Sequence, residues 1–198
     1  MRPIHYVVLH HTATTGEGDG ATEWQQIKEV AHRRRGAGYL CDYHYGIGPT
    51  GVCFEGQLES HIAYHCGDDL INNESLAVAC IGNLERNQIP APQQRTLLKT
   101  LLELRLRFPG VKLILHREIV ATLCPGKHFP EGEVRAGWGR RRPFSDVSPE
   151  HLFCQAIDAV VAKGLMSGDQ EGTFRPDDPV LRGELAQVLW NWMSLGEK

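Results

Sequence analysis

No stretch of this sequence approaches the ~20 consecutive apolar residues that a membrane-spanning helix needs. The opening run Met1-Arg2-Pro3-Ile4-His5-Tyr6 also lacks the apolar segment of roughly 7–15 residues and the small-residue cleavage site of a secretory leader. The expectation is a protein that begins in the cytoplasm. No excess of one charge is present either: 21 Lys and Arg stand against 24 Asp and Glu, and a net charge of -3 gives no general attraction to nucleic acid or anionic membrane. The six cysteines, at 41, 53, 66, 80, 124 and 154, lack the dense spacing of a disulfide scaffold. In a chain of this length, that scatter points to buried thiols and a metal ligand rather than bridges. With 41% apolar and 23% charged residues, enough core-forming sequence remains for one medium domain and a short appendage. Ten histidines exceed what such a chain needs and direct attention to a metal or acid–base site.

Tyr6-Val7-Val8-Leu9 reads as a strand buried on both faces. A helix follows, with Thr22 as its expected N-cap, Gln25 as capping-box partner and Gly36 as its end. Its inner face carries Trp24, Ile27, Val30 and Ala31. Tyr43 to Ile47 and Val52 to Glu55 read as strands joined by the hairpin signal Gly48-Pro49-Thr50-Gly51. Ser75 to Ile81 is a further buried strand, stopped by Gly82-Asn83. Pro92 opens a leucine-rich helix that Pro109-Gly110 ends, and Val111 to Leu115 is the next apolar strand. Strands alternating with two substantial helices predict an α/β fold, a mixed central sheet with flanking helices.

Three candidate metal ligands fall at or after strand ends. His10, or its neighbour His11, closes the first strand; His116 closes the last; Cys124 follows His116 by eight residues, on a loop able to curl back. Catalytic zinc takes three imidazole, thiolate or carboxylate ligands in tetrahedral geometry and keeps one position open for water. Bound water then ionises near pH ~7, which makes hydroxide available for hydrolysis.

The strings Val7-Val8-Leu9-His10-His11-Thr12-Ala13, Asp42-Tyr43-His44-Tyr45-Gly46-Ile47, Ala63-Tyr64-His65-Cys66-Gly67, Asn73 to Asn83, His116-Arg117-Glu118 and Thr122-Leu123-Cys124-Pro125-Gly126 run in order over about residues 4 to 130. Together they resemble the N-acetylmuramoyl-L-alanine amidases of the phage-lysozyme and peptidoglycan-recognition-protein type. The resemblance implies a zinc at the base of a groove, held by His10, His116 and Cys124, with His11 as the competing first ligand. It implies that Tyr43 lies beside the metal-bound water and the developing oxyanion, and that Thr122 donates to the tetrahedral intermediate. His65 and Asn73 match groove-lining, substrate-binding positions. His5, His32, His128 and His151 read as ordinary surface or satisfied histidines, while His44 and His61 stay open.

At Gly137-Trp138-Gly139-Arg140-Arg141-Arg142-Pro143 the composition changes to glycine, charge and proline, which predicts domains at 1–138 and 144–198 with a linker at 139–143. The second piece carries apolar faces at Ile157, Val160 and Val161 and at Leu185, Val188 and Leu189, an all-α helix–loop–helix pattern. Phe144-Ser145-Asp146-Val147, Gly164 to Asp169, Gly172 to Pro179 and Arg182-Gly183-Glu184-Leu185-Ala186 resemble one S-layer homology module, a family that attaches proteins to cell-wall polymers. It departs from that family at Leu181-Arg182-Gly183-Glu184, where Thr-Arg-Ala-Glu is usual, and at Leu152, where an aromatic is usual. A single module of ~50 residues buries little core alone, so docking on the first domain or self-association into a homo-oligomer is expected. Arg182 is the residue best suited to an anionic wall polymer. The expected function is therefore a peptidoglycan amidase of the endolysin kind, with peptidoglycan as partner, stored in the cytoplasm and acting at the wall. A non-catalytic peptidoglycan-binding protein and a cytoplasmic amidase recycling wall fragments are the alternatives.

Overall fold

Five strands form one mixed sheet in the order β3-β2-β4-β1-β5, with β1 at Tyr6–His11, β2 at Tyr45–Ile47, β3 at Cys53–Glu55, β4 at Ser75–Cys80 and β5 at Lys112–Leu115. In this computed structural model residues 2–36, 38–138, 144–147, 151–169 and 171–194 are described. The interior strands β1 and β4 carry the longest apolar runs of the sheet, and all six residues of β4 are buried, as a strand covered on both faces requires. β1 runs parallel to β4 and β5, and β2 runs parallel to β4; the hairpin partners β2 and β3 are antiparallel. Leu9 is level with Val78 on one side and Leu115 on the other. The residues that leave β1, β4 and β5 therefore reach the same carboxyl edge of the sheet, where open α/β sheets bind their ligands.

Alternation along β1 separates packing from chemistry. Val7 and Leu9 join Leu76, Val78, Leu113 and Leu115 in a core closed by Leu97, Leu101 and Leu104 of helix α3 (Ala91–Arg107) and Val134 of helix α4 (Glu131–Trp138). His10, the next residue after Leu9, points to the other face, which helix α1 (Ala21–Arg35) helps to cover through Trp24 and Ala31. Gly46 is what lets Trp24 in: a Cβ there would lie 2.5 Å from the indole ring.

Local details differ from the sequence expectations. α1 begins at Ala21 with Gly20 as cap, at φ 87°, and without a side-chain capping bond; Thr22 lies inside the helix. The preceding loop is held instead by Glu23, whose carboxylate accepts from the hydroxyls of Thr14 and Thr15 and from the Gly16 and Glu17 amides. Those bonds hold the Glu23 carboxyl below the usual range although burial pushes the other way. β2 starts at Tyr45, so Tyr43 stands just ahead of the strand rather than within it.

Gln93 on α3 is fully buried and donates through Nε2 to the Ile47 and Ile81 carbonyls, at 2.6 and 2.9 Å. Ile47 O has a second donor in the Ile81 amide, whereas Ile81 O takes its hydrogen bond from Gln93. Gln93→Leu keeps the volume and removes those bonds. It is expected to cost about 1–3 kcal/mol, read as a lower urea midpoint at unchanged slope; an unchanged midpoint would show that the bonds add nothing net.

The chain divides into two compact units, Met1–Trp138 and Gly139–Lys198; the linker expected at 139–143 lies outside the described residues. In the second unit, helices α5 (Cys154–Ala162) and α6 (Arg182–Ser194) flank a loop. Phe144, Val147, Cys154 and Ile157 form its small core, with Val161 and Phe174 against it. Asp146 and Asp169 shape the loop by accepting backbone amides of Phe174, Arg175, Glu171 and Thr173. On α6, Leu185, Leu189, Trp190, Trp192 and Met193 are exposed. No helix among the described residues is long and apolar enough to cross a membrane.

Candidate metal centre and active site

Ligand atoms of His10, His116 and Cys124 lie within 4.8 Å of one another. His10 comes from β1 and His116 from the 3-10 turn His116–Glu118 that follows β5, so parallel pairing sets them side by side, ring centroids 4.6 Å apart. Cys124 is returned to this edge by its loop. The Arg117 amide donates to the Cys124 carbonyl at 3.0 Å, and the His11 amide points at the Cys124 thiol sulfur at 3.4 Å. Gly126 seals the loop against the backbone of residues 84 and 85, where a Cβ would come within 2.4 Å of the Leu84 carbonyl carbon. The turn bearing His116 is braced by Glu118, which accepts from the Leu115 amide at 2.6 Å and pairs with Arg135 at 2.8 Å.

This donor set fits a metal. A tetrahedral ion with bonds of about 2.0–2.3 Å needs its donors roughly 3.3–3.8 Å apart, so a contraction of about 1 Å closes the trio around it. Burial, reinforced by the neighbouring histidines, pushes His10 well below the ordinary imidazole range, and burial lowers His116 too; both rings are neutral at pH 7, as ligation requires. Burial pushes the Cys124 thiol up to about 11, against the pull of the His11 amide and Arg117. Without metal the thiol therefore keeps its proton.

The ring of Tyr43 sits 5.3 Å from that of His10 and stacks on Trp24 at 6.3 Å. Burial above all, then the nearby Cys124, Asp42 and Cys41, push its phenol well above the usual range, so it is a hydrogen-bond donor at every physiological pH. Tyr43 also lines a cleft of about 320 Å³ along α1, together with Thr12, Thr14, Gln26, Val30 and Arg34. Thr122 Oγ accepts the Cys124 amide at 3.2 Å, which leaves the hydroxyl hydrogen to donate elsewhere.

The remaining expected residues fall differently. His11 stays out of the trio: its Nδ1 accepts the Leu84 amide at 3.0 Å. His65, expected to line a groove, is buried with both ring nitrogens engaged, Nδ1 at 2.9 Å from His10 Nε2 and Nε2 at 2.9 Å from Ser75 Oγ. Asn73 is exposed. The buried asparagine of the pair is Asn72, whose Oδ1 accepts the amides of both His65 and Cys66, at 3.1 and 3.2 Å. Asp68 caps the short helix α2 (Asp69–Asn73) and sets its phase, which turns Asn72 inward; that cap was the available sign. His44 accepts the Ala77 amide on Nδ1 at 3.0 Å and is held neutral by burial, its pKa lowered to about 4; it ties the β2 entry to β4.

A mixed α/β sheet with a buried His, His, Cys trio at the carboxyl edge of its parallel strands defines a candidate metal-dependent hydrolase. The sequence profile of the N-acetylmuramoyl-L-alanine amidases matches residues 1–127, and the chain belongs to that family. An S-layer homology domain profile matches residues 143–186. Peptidoglycan-recognition protein SD of Drosophila simulans is 32% identical over 131 residues, which span 63% of this chain and 69% of that protein. The Ph2119 endolysin from the Thermus scotoductus MAT2119 bacteriophage Ph2119 superposes with a TM-score of 0.58 at 29% identity, covering 71% of this chain and 88% of the endolysin. The N-acetylmuramoyl-L-alanine amidase LysC from Clostridium intestinale shares the fold, with a TM-score of 0.62 at 23% identity over 71% of this chain and 88% of that one.

Proposed function

We propose that this chain is a zinc-dependent amidase that hydrolyses the bond between N-acetylmuramic acid and the L-alanine of the peptidoglycan stem peptide, an endolysin of phage or prophage. The convergence of His10, His116 and Cys124 beside Tyr43 carries the reading. Zinc held by this trio would supply Lewis acidity toward the lactyl carbonyl and an acidified water. Tyr43, protonated throughout the working range, donates its hydroxyl hydrogen to the carbonyl oxygen as that oxygen gains charge. Thr122 offers its own hydrogen to the same oxygen while its lone pair holds the Cys124 amide. The cleft along α1 shares Tyr43 with the surroundings of His10, which supports it as the place where the substrate's peptide lies. Glu23 and Glu118 are both committed to structural bonds, which argues against either as the group that protonates the leaving nitrogen. That proton arrives through Tyr43 or solvent.

Residues 144–198 serve in this reading as a wall-binding module that places the enzyme on its polymer, with Arg182 toward an anionic group and the exposed apolar residues of α6 toward a second copy of the chain or another protein surface. Recognition proteins that bind without cleaving are the second reading, supported by the relative from Drosophila simulans; the complete trio with Tyr43 favours catalysis. A cytoplasmic recycling role would leave the S-layer homology segment without a use.

Digestion of purified peptidoglycan followed by mass spectrometry tests the reaction. New amino groups on L-alanine with uncut glycan strands are expected. Reducing sugar ends without new amino termini would instead mean a glycosidase, and unaltered peptidoglycan at high enzyme would mean a binding protein.

A further inference from the structure

We infer that His65 is a positioning residue that fixes which nitrogen His10 presents to the metal, and that its neighbour Cys66 does the same for His116 through its carbonyl. The inference rests on the proposed metal reading of His10, His116 and Cys124.

A neutral imidazole carries one N–H and one lone pair, and only the lone pair can hold a metal. His116 Nε2 lies 3.3 Å from the Cys66 carbonyl oxygen, which can only accept. The hydrogen of His116 is therefore on Nε2, and Nδ1 is its free ligand atom. His10 is set by a longer relay. Its Nε2 is 2.9 Å from His65 Nδ1, and His65 Nε2 is 2.9 Å from Ser75 Oγ. With His65 donating from Nε2 to the Ser75 hydroxyl, its Nδ1 accepts from His10 Nε2. That leaves His10 Nδ1, 3.7 Å from the Cys124 sulfur, as a lone pair aimed into the trio. The opposite polarity would aim an N–H at the metal instead. With that polarity both histidines would hold a metal through Nδ1, and two consecutive residues would decide it.

These two residues are themselves held. Asn72 Oδ1 accepts both of their amides, and the Cys66 thiol donates to the same oxygen at 3.1 Å. Ser75, fully buried at the head of β4, is anchored in turn by Arg2, which donates to its carbonyl at 2.7 Å. Both nitrogens of the buried His65 are thus matched, and one asparagine oxygen holds the two adjacent amides.

Two substitutions in the full chain separate the parts of His65. His65→Asn places Oδ1 near the position of Nδ1 and keeps the acceptor for His10. His65→Gln reaches toward Ser75 but leaves no acceptor opposite His10. Zinc affinity, measured by competition with a coloured chelator, is expected to fall about 10–100-fold in His65→Gln and to stay within about threefold of wild type in His65→Asn. The visible spectrum of the cobalt-substituted protein should change in His65→Gln alone. Equal affinity in all three proteins, or an equal loss in both variants, overturns the inference while leaving the metal reading intact. If wild type itself binds no metal, the metal reading falls and takes this one with it. A readout independent of any variant is the nitrogen NMR spectrum of histidine-labelled, metal-free wild type: His10 and His116 should both carry hydrogen on Nε2, and hydrogen on His10 Nδ1 would refute the relay.

Discussion

Cys124→Ser is expected to lose the metal and amide hydrolysis together. Serine fills nearly the same space, so the loop held by the Arg117 amide and by Gly126 against residues 84 and 85 should persist. What disappears is the group that can become an anionic ligand. Spread over four ligands, the roughly 10–16 kcal/mol of a well-formed zinc site gives about 3 kcal/mol each, a loss of more than ~10²-fold in affinity. Titration calorimetry adds a signature of the mechanism. Since burial pushes the free Cys124 thiol up to about 11 and lowers both His10 and His116, metal binding at pH 7 is expected to release the proton of the thiol. The serine variant should release none. Full metal content and turnover in Cys124→Ser would remove this cysteine from the site.

Much of this site was legible in the sequence because strand ends are legible. The apolar runs before His10 and before His116 form neighbouring parallel strands, β1 inside the sheet and β5 at its edge. Once they are neighbours, the histidines that terminate them have to meet. The hairpin glycines and the leucine periodicity of α3 were equally plain. Residues that act through distant partners were not. Thr22 has the right chemistry and spacing for a cap, yet the start of α1 was decided by Glu23 gathering the loop from residue 14 to residue 17. The inward asparagine is Asn72 rather than Asn73, a one-residue matter settled by the phase of a five-residue helix. His65 looks in sequence like any polar loop residue; the bonds that define it reach 55 residues back to His10 and 10 forward to Ser75. Hydrogen bonds of such span leave no periodic trace.

The second unit shows the same division. Its helix pair and turn residues were readable, and the S-layer homology match agrees with them. The apolar faces were readable as well, but not what they meet. Ile157 of α5 enters the small core beside Phe144, whereas Leu185 and Leu189 of α6 stay exposed within the chain. One amphipathic pattern thus ended in two outcomes, because roughly 50 residues cannot enclose both faces.

Tyr43→Phe is the substitution that separates catalysis from binding most sharply. The change removes one hydroxyl and almost no volume, so the stacking on Trp24 and the packing against His10 should be retained, and with them the fold and the metal. If the hydroxyl donates to the oxygen that becomes charged, its loss acts on the transition state alone. Turnover should fall by about 10²–10³-fold with KM little changed, the usual consequence of removing one oxyanion donor. The pH profile gives an independent check. Because burial holds the phenol of Tyr43 well above its ordinary range, wild-type turnover should show no alkaline loss from tyrosine ionisation up to about pH 9, and the variant's profile should be lowered in parallel rather than reshaped. Thr122, the other proposed donor, remains in the variant and would account for a residual rate. Near-normal turnover in Tyr43→Phe, with metal content intact, would make Tyr43 a packing residue and leave the charged oxygen to the metal and Thr122.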